Sequence, residues 1–282
     1  MRDGRLRIGV VAPGSRIEPA TADEVLRLAS GVYPEKTPEI VFHPQCFRSS
    51  GHFAGEDAVR AQAFLEVAND AGFDALWCAR GGYGSGRLAE GVRSSLNESA
   101  REKVYMGYSD AGALLATLHR AGFSRLAHGP MPSDLARPNG DVAVRRALAF
   151  LVDRAPDSVE RTAAPTVATA AFNITVLSLL IGSSFEPDLT NHVLMLEEVG
   201  EHMYRIDRCL FHLTSAATIR RVAGIKLGRC SAVPPNQPDF GQNEEQVVMH
   251  WCERAGIPYL GRADIGHDIE NKVVPFGRAW WE

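Results

Sequence analysis

A serine stands at a point where an apolar run turns into a helical pattern. In Tyr105-Met106-Gly107-Tyr108-Ser109-Asp110-Ala111-Gly112 the residues around Ser109 are small enough for a tight turn. Such a turn lifts the hydroxyl to the carboxyl edge of a sheet and aims the first N–H groups of the helix at whatever binds there. That placement suits a nucleophile, and it equally suits a helix cap, since serine accepts well from a first helical turn. The run is not Gly-x-Ser-x-Gly, because Ala111 stands where the second glycine of that elbow belongs.

A second loop, Arg80-Gly81-Gly82-Tyr83-Gly84-Ser85-Gly86-Arg87, follows the apolar run ending at Cys78-Ala79 and holds four glycines in six positions. Without Cβ atoms its backbone N–H groups can approach a phosphate or a developing oxyanion closely. It lacks the Lys-Ser/Thr of a P-loop and the acidic residue of a dinucleotide fingerprint. An oxyanion-type site and a plain flexible turn both remain.

A serine hydroxyl needs a base near neutral pH, and the base is usually oriented by a carboxylate. Of nine histidines, His119, His212 and His250 fall in helical patterns, and His43, His52, His192 and His202 lie in or beside undistinguished loops. His128, in Leu126-Ala127-His128-Gly129-Pro130, follows a strand pattern, and His267, in Asp264-Ile265-Gly266-His267-Asp268, lies between two short ones. These two are equal candidates. For the acid, the apolar run 193–196 ends in Glu197-Glu198, and strand alternation turns one carboxylate toward a site and the other toward water.

The elements that must position these groups alternate along the chain. Strands are expected over 6–12, 39–43, 75–79, 104–107 and 125–128, with helices over 21–29, 57–71, 111–120 and 142–152. This alternation predicts an α/β fold, a mostly parallel sheet flanked by helices, with ligands outside the carboxyl ends of its strands. Residues 154–167 read as a linker between an N-terminal domain over 1–153 and a smaller C-terminal α/β domain over 168–282. The second domain is expected to hold helices over 175–181, 205–216 and 244–255, and fewer, shorter strands over 193–197, 222–227 and near Tyr259 and Val273-Val274. With 282 residues and roughly 150 per domain, two domains are favoured.

Composition is that of a soluble globular protein, 45% hydrophobic and 23% charged. Thirty basic against 34 acidic residues leave a net charge of −4, which creates no global field for nucleic acid or an anionic membrane. The run behind the charged N-terminus reaches Pro13-Gly14 too soon for a signal-peptide core, and the apolar stretch 174–181 is far below the ~20 residues of a membrane span. Five cysteines without a Cys-x-x-Cys pair argue for reduced thiols in a cytosolic protein and against a zinc site.

Together Arg80-Gly81-Gly82-Tyr83-Gly84, Gly107-Tyr108-Ser109-Asp110, His128-Gly129-Pro130, Leu194-Met195-Leu196-Glu197-Glu198-Val199-Gly200-Glu201, Tyr204-Arg205-Ile206-Asp207-Arg208 and Gly266-His267 resemble the LD-carboxypeptidases of serine peptidase family S66. The resemblance runs from about Ile8 to Pro275, with the motifs in the family's order. It implies Ser109 as nucleophile, Glu197 as orienting carboxylate and His267 as base. The backbone N–H of Asp110 and one from Gly81-Gly82 would form the oxyanion hole. It further implies a cytoplasmic homodimer, without metal or other cofactor, that releases the terminal D-alanine of murein tetrapeptide. One departure is visible: Ala171-Phe172-Asn173-Ile174 stands where the family commonly has Gly-Gly-Asn-Leu, and the larger side chain is expected to narrow or reshape the cleft.

A carboxypeptidase must bind a free carboxylate, best done by arginine. Arg80, Arg87, Arg205 and Arg208 are candidates, and Arg80, Tyr83, His128 and Arg205 are expected near substrate. Two other readings compete. Microcin C immunity peptidases of the same family cleave aminoacyl or peptidyl nucleotide conjugates, and a non-catalytic α/β protein would only hold a ligand at these loops.

Overall fold

The computed structural model describes residues 5–164 and 166–281; residues 1–4, Pro165 and Glu282, which fall within the expected domain and linker spans, lie outside the described residues. Short apolar runs followed closely by Gly or Pro form the first five strands. In order come β1 (Arg7–Val11), α1 (Pro19–Val32), β2 (Glu39–Phe42), α2 (Asp57–Asn69), β3 (Ala75–Cys78), α3 (Ala89–Ser95), α4 (Glu98–Arg101), β4 (Val104–Gly107), α5 (Gly112–Arg120), β5 (Leu126–His128) and α6 (Asp141–Asp153). Beyond them lie β6 (Thr169–Asn173), α7 (Ile174–Leu180), β7 (Val193–Val199), α8 (Met203–Ser215), β8 (Gly224–Ser231), α9 (Glu244–Ala255), β9 (Tyr259–Arg262) and β10 (Val274–Pro275).

The first sheet has the order β10-β5-β4-β3-β1-β2 and the second β6-β7-β8-β9. All pairings are parallel except β10 on β5. The strand order reverses between β1 and β3, and in sheets of this kind the crevice at the carboxyl ends there is where ligands bind. The loops after β1, β3 and β4 all open at that edge.

Alternation along the strands sorts side chains onto two faces. Ile8, Val10, Ala75, Trp77, Val104 and Met106 join the core beneath α1 and α6, with Val25, Leu28, Leu148 and Phe150. Leu76, Cys78 and Tyr105 face the other way, onto Phe64, Val67, Leu114 and Leu118 of α2 and α5. That second cluster continues without a break into Phe172, Leu177, Leu194, Leu196, Ile225 and Leu227. The two sheets therefore share one apolar core through α5, which resists motion between them as a polar interface would not.

Three features depart from expectation. The strand expected near Val273-Val274 in the second unit instead adds antiparallel to the first sheet, Val274 opposite His128 and Pro275 opposite Ala127. It covers the edge that β5 would otherwise leave unpaired. β6, whose Thr-Ala-Ala-Phe-Asn carries little strand signal, pairs with β7 over its whole length and is buried throughout, so packing outweighs propensity. The second sheet has fewer strands but not shorter ones, since β7 and β8 run seven and eight residues against five for β1. No helix among the described residues is long and apolar enough to cross a membrane.

Candidate active site

β4 ends at Gly107, and Ser109 follows with φ +59° before a 3-10 turn over Ser109–Ala111 leads into α5. A positive φ on a residue with a Cβ costs on the order of 1 kcal/mol, so the surroundings must hold it. They do so through Asp110, whose Oδ2 accepts from the Ser85 N–H at 2.8 Å while the Ser85 hydroxyl donates to the Asp110 carbonyl. The strand-to-helix turn is tight because Gly107 faces Cys78 and Ala111: a Cβ there would lie 2.9 and 3.1 Å from theirs.

The glycine loop packs directly on this elbow. A Cβ on Gly81 would fall 2.8 Å from Ser109 Cβ, 2.9 Å from Ser109 Oγ and 3.4 Å from Asp110 N. The Gly81 carbonyl accepts from Ser15 N at 3.1 Å, which orients the peptide joining Gly81 to Gly82. Arg60 braces this loop and the one after β1. Its guanidinium is fully buried, donates to the carbonyls of Pro13, Gly55 and Gly84, pairs with Asp57 and lies 4.6 Å over the Phe53 ring.

Across the boundary, Glu197 near the end of β7 is fully buried, and its Oε2 lies 2.5 Å from His267 Nδ1. Gly228 of β8 leaves the room, since a Cβ there would meet Glu197 Cβ at 3.1 Å. The His267 loop is held by Arg229, which forks onto Asp268 at 2.5 and 2.9 Å, and by Asn271, which accepts from Gly266 N at 3.2 Å. Burial pushes the His267 imidazole down, but the adjacent Glu197 charge and its hydrogen bond outweigh this and leave its pKa raised. Its Nε2 is buried and has no partner among the described residues. The Tyr108 ring, next in chain to Ser109, lies 4.8 Å from the His267 ring.

The register of β7 on β8 shifts between Leu196 and Glu198, and Glu198, expected to face water, does not. It is 2% exposed and accepts from Asn173 Nδ2 at 2.6 Å, Thr175 N at 2.9 Å, Thr175 Oγ1 at 2.7 Å and Val199 N at 2.9 Å. It thereby ties β7 to the first turn of α7. A cleft of about 480 Å³ opens beside it, lined by Gly82, Tyr83, Arg87, Ser109 and Asp110 from the first half and Asn173, Thr175, Leu179, Glu198 and Glu201 from the second.

The structure brings Ser109, Asp110, Gly81 and Gly82 together, and Glu197 with His267. Ser109 itself makes no hydrogen bond to His267. His128 is corrected as a substrate contact: at 1% exposure it lies behind Tyr108, ring centroids 5.5 Å apart, and burial, then the charge of His267, depresses its pKa to about 3. Arg205 is engaged by Glu201 at 2.7 Å and Arg87 by Asp57 at 2.7 Å. Arg208 lies 5.6 Å over the Tyr204 ring. Arg80 donates to the Arg16 carbonyl at 3.2 Å and has no carboxylate partner among the described residues. Tyr83 lines the cleft and is 56% exposed. Phe172 does not line the cleft directly; it is buried near the start of α5 and against Phe276 at 5.0 Å.

Three residues about the site carry no motif and escape sequence reasoning: Arg60, Asp134 and Arg137. Arg60 leaves a trace, because it stands three and four residues before Ala63 and Phe64 on the buried face of α2. All five cysteines are unpaired, and no group of three or more His, Cys, Asp or Glu among the described residues is placed to hold a metal ion.

Residues 8–129 match the family model of the LD-carboxypeptidase N-terminal domain, and residues 169–280 that of the LD-carboxypeptidase C-terminal domain. A putative carboxypeptidase of Synechocystis sp. is 30% identical over 280 residues, 96% of this chain and 89% of the relative. The murein tetrapeptide carboxypeptidase of Pseudomonas aeruginosa is 28% identical over 221 residues, 72% and 70% of the two chains. Among solved structures, a muramoyltetrapeptide carboxypeptidase from Oxalobacter formigenes superposes with a TM-score of 0.78 at 24% identity, covering 95% and 93%. The microcin C7 self immunity protein MccF does so with 0.74 at 19%, covering 96% and 91%. At these identities the two superpositions speak for the fold.

Proposed function

This chain belongs to the LD-carboxypeptidase family, peptidase S66, and from that premise we propose that it is a serine carboxypeptidase of the muramoyltetrapeptide type. In this reading it releases the terminal D-alanine of murein tetrapeptide across an L-to-D bond. His267 Nε2 takes the proton of Ser109 as Oγ attacks the scissile carbonyl. Glu197 stabilises the imidazolium, and the N–H groups of Asp110 and of the Gly81-Gly82 segment receive the oxyanion. The protonated base then passes its proton to the leaving amine, and water, activated by the same imidazole, frees the tripeptide from the acyl-enzyme.

The observation that carries the proposal is the buried Glu197–His267 hydrogen bond, which leaves Nε2 free, beside the Tyr108-Ser109 elbow. Such a dyad, with the base raised in pKa and a strained serine in the next loop, is the equipment of acyl transfer. The cleft between the two sheets suits a peptide, and the names of the relatives favour a muropeptide. Ser109 comes from the domain over 1–153, and Glu197 and His267 from that over 168–282, so the linker over 154–167 joins the two halves of one site. We further propose that the protein works in the cytoplasm as a homodimer, as the family resemblance implies.

The nucleotide-conjugate reading finds less support. Trp77 is buried with its Nε1 donated to the Pro130 carbonyl, Trp251 donates to Asp207, and Trp280 and Trp281 pack on Phe150, so no tryptophan faces the cleft to stack on a base. The test is mass spectrometry of L-Ala-γ-D-Glu-meso-diaminopimelate-D-Ala incubated with wild type, Ser109→Ala and His267→Ala. Loss of a D-alanine mass with wild type alone is expected. An unchanged peptide beside a cleaved aminoacyl sulfamoyl adenosine would replace this reading with the other.

A further inference from the structure

We propose that Asp134 and Arg137 are positioning residues that hold the nucleophile elbow and the base loop at their working separation; the proposal rests on the serine-peptidase reading above. Asp134 is 2% exposed, in the 3-10 turn over Pro132–Ala136 that follows β5. Its Oδ1 accepts from the Tyr108 hydroxyl at 2.6 Å and from Arg137 Nε at 3.0 Å. Arg137 donates Nη1 to the His267 carbonyl and Nη2 to the Tyr108 hydroxyl at 3.3 Å. One carboxylate is thus joined by a single hydrogen bond to the residue before Ser109, and through a single guanidinium to the backbone of the base.

The chemistry of the groups suits a rigid link. Burial, then the charge of Asp134, holds the Tyr108 phenol well above its ordinary pKa, so it stays protonated and donates. Hydrogen bonds to a charged partner are about twice as strong as neutral ones. A planar guanidinium can serve Asp134, Tyr108 and the His267 carbonyl at once, which a lysine ammonium on a flexible stem does not reproduce. The Tyr108 ring, held at its hydroxyl, meets the His128 ring edge-on at 5.5 Å and the His267 ring at 4.8 Å, and so limits where the base can swing. Arg137 and Asp134 pull the His267 proton in opposite senses, so their joint effect falls on geometry more than on charge. Asp134 Oδ2 also accepts from Met131 N at 2.8 Å, a purely structural duty, so the test cuts the bonds of Asp134 at its partners Arg137 and Tyr108 and leaves Asp134 in place.

The variants are Arg137→Gln, Arg137→Lys and Tyr108→Phe, in the full chain. Each is measured for the rate at which a fluorophosphonate labels Ser109, for kcat and KM on the tetrapeptide, and for Tm. A displacement of about 1 Å in a catalytic constellation costs on the order of 10²-fold. Arg137→Gln is expected to slow labelling and lower kcat by about that factor with KM and Tm little changed, and Arg137→Lys not to restore them. Tyr108→Phe with Arg137→Gln should cost less than the two losses multiplied, because both cut one chain of contacts. Wild-type labelling in an Arg137→Gln protein of normal Tm overturns the positioning role and leaves the serine-peptidase reading standing. A loss that merely tracks Tm overturns it too. A wild type that fluorophosphonate does not label sinks the nucleophile itself, and this proposal with it.

Discussion

His267 Nδ1 and Glu197 Oε2 lie 2.5 Å apart although 70 positions separate them in the chain; Glu197 is shut away from water and His267 keeps 9% exposure. The contact selects the tautomer that leaves Nε2 as the acceptor and stores a preference for the charged imidazole. Both effects have consequences that can be measured.

The base works only when neutral, and its pKa lies above the ordinary histidine value of about 6.5. The rate kcat/KM should therefore climb with pH through a midpoint above that value and level off beyond it. Glu197→Gln removes the group that raises the pKa. Its acid limb should move to lower pH while its plateau drops, by roughly 10³- to 10⁴-fold if the carboxylate matters as in other triads. A pH–rate profile of the two proteins decides the matter, and a limb that stays put in the variant contradicts the pairing.

The same bond has a stability signature. A pKa raised on folding contributes stability that is full below the unfolded value and fades as pH rises through the folded one. Glu197→Gln should accordingly lower Tm more at about pH 6 than at about pH 9. Thermal melts of both proteins across that range test this, and an equal loss at both ends would oppose it.

Ser109 holds a backbone conformation that only glycine adopts without cost. Ser109→Ala and Ser109→Gly should both abolish turnover, but Ser109→Gly should be the more stable of the two by about 1 kcal/mol, since it relieves the strain that alanine retains. Denaturant melts compare them directly; a less stable glycine variant would mean that the elbow is unstrained.

A methyl group on Gly81 would strike Ser109 Cβ at 2.8 Å and Oγ at 2.9 Å, with no flexible side-chain end to yield. Gly81→Ala should displace the loop and lose an oxyanion donor, a cost of about 2.7–4 kcal/mol in the transition state, or 10²- to 10³-fold in kcat. Steady-state kinetics on a folded variant is the check, with near-normal kcat as the contrary result.

Among the arginines expected near substrate, Arg205 is engaged by Glu201 and Arg80 has no carboxylate partner among the described residues. Arg80→Ala should raise KM for a peptide with a free C-terminal carboxylate by roughly tenfold, about 1.4 kcal/mol, whereas Arg205→Ala should change it little. Equal effects of the two would point away from Arg80 as the cation that receives the carboxylate.

Much of this was legible in the sequence. The strand at 104–107 and the helix at 244–255 match residue for residue, because apolar periodicity and the Asn243–Gln246 capping box are local signals. Ser109 and the glycine loop could be singled out for the same reason, since each follows a strand whose end is marked in the chain. β6 could not, because its alanines become a strand only by pairing with β7. Nor could the fate of β10, which depends on an edge that exists only once β5 is in place.

The sequence by itself determined the α/β class, two post-strand loops that carry Ser109 and the glycines, and a pair of histidines between which spacing could not choose. Tertiary structure decided which histidine meets Glu197 and which is buried behind Tyr108. It also decided that Arg60, Asp134 and Arg137, silent in any motif, brace the loops around Ser109. The reason is one of range: turns, caps and periodicities act over a few residues, whereas a buried charge is placed by partners 24, 70 or 130 positions away.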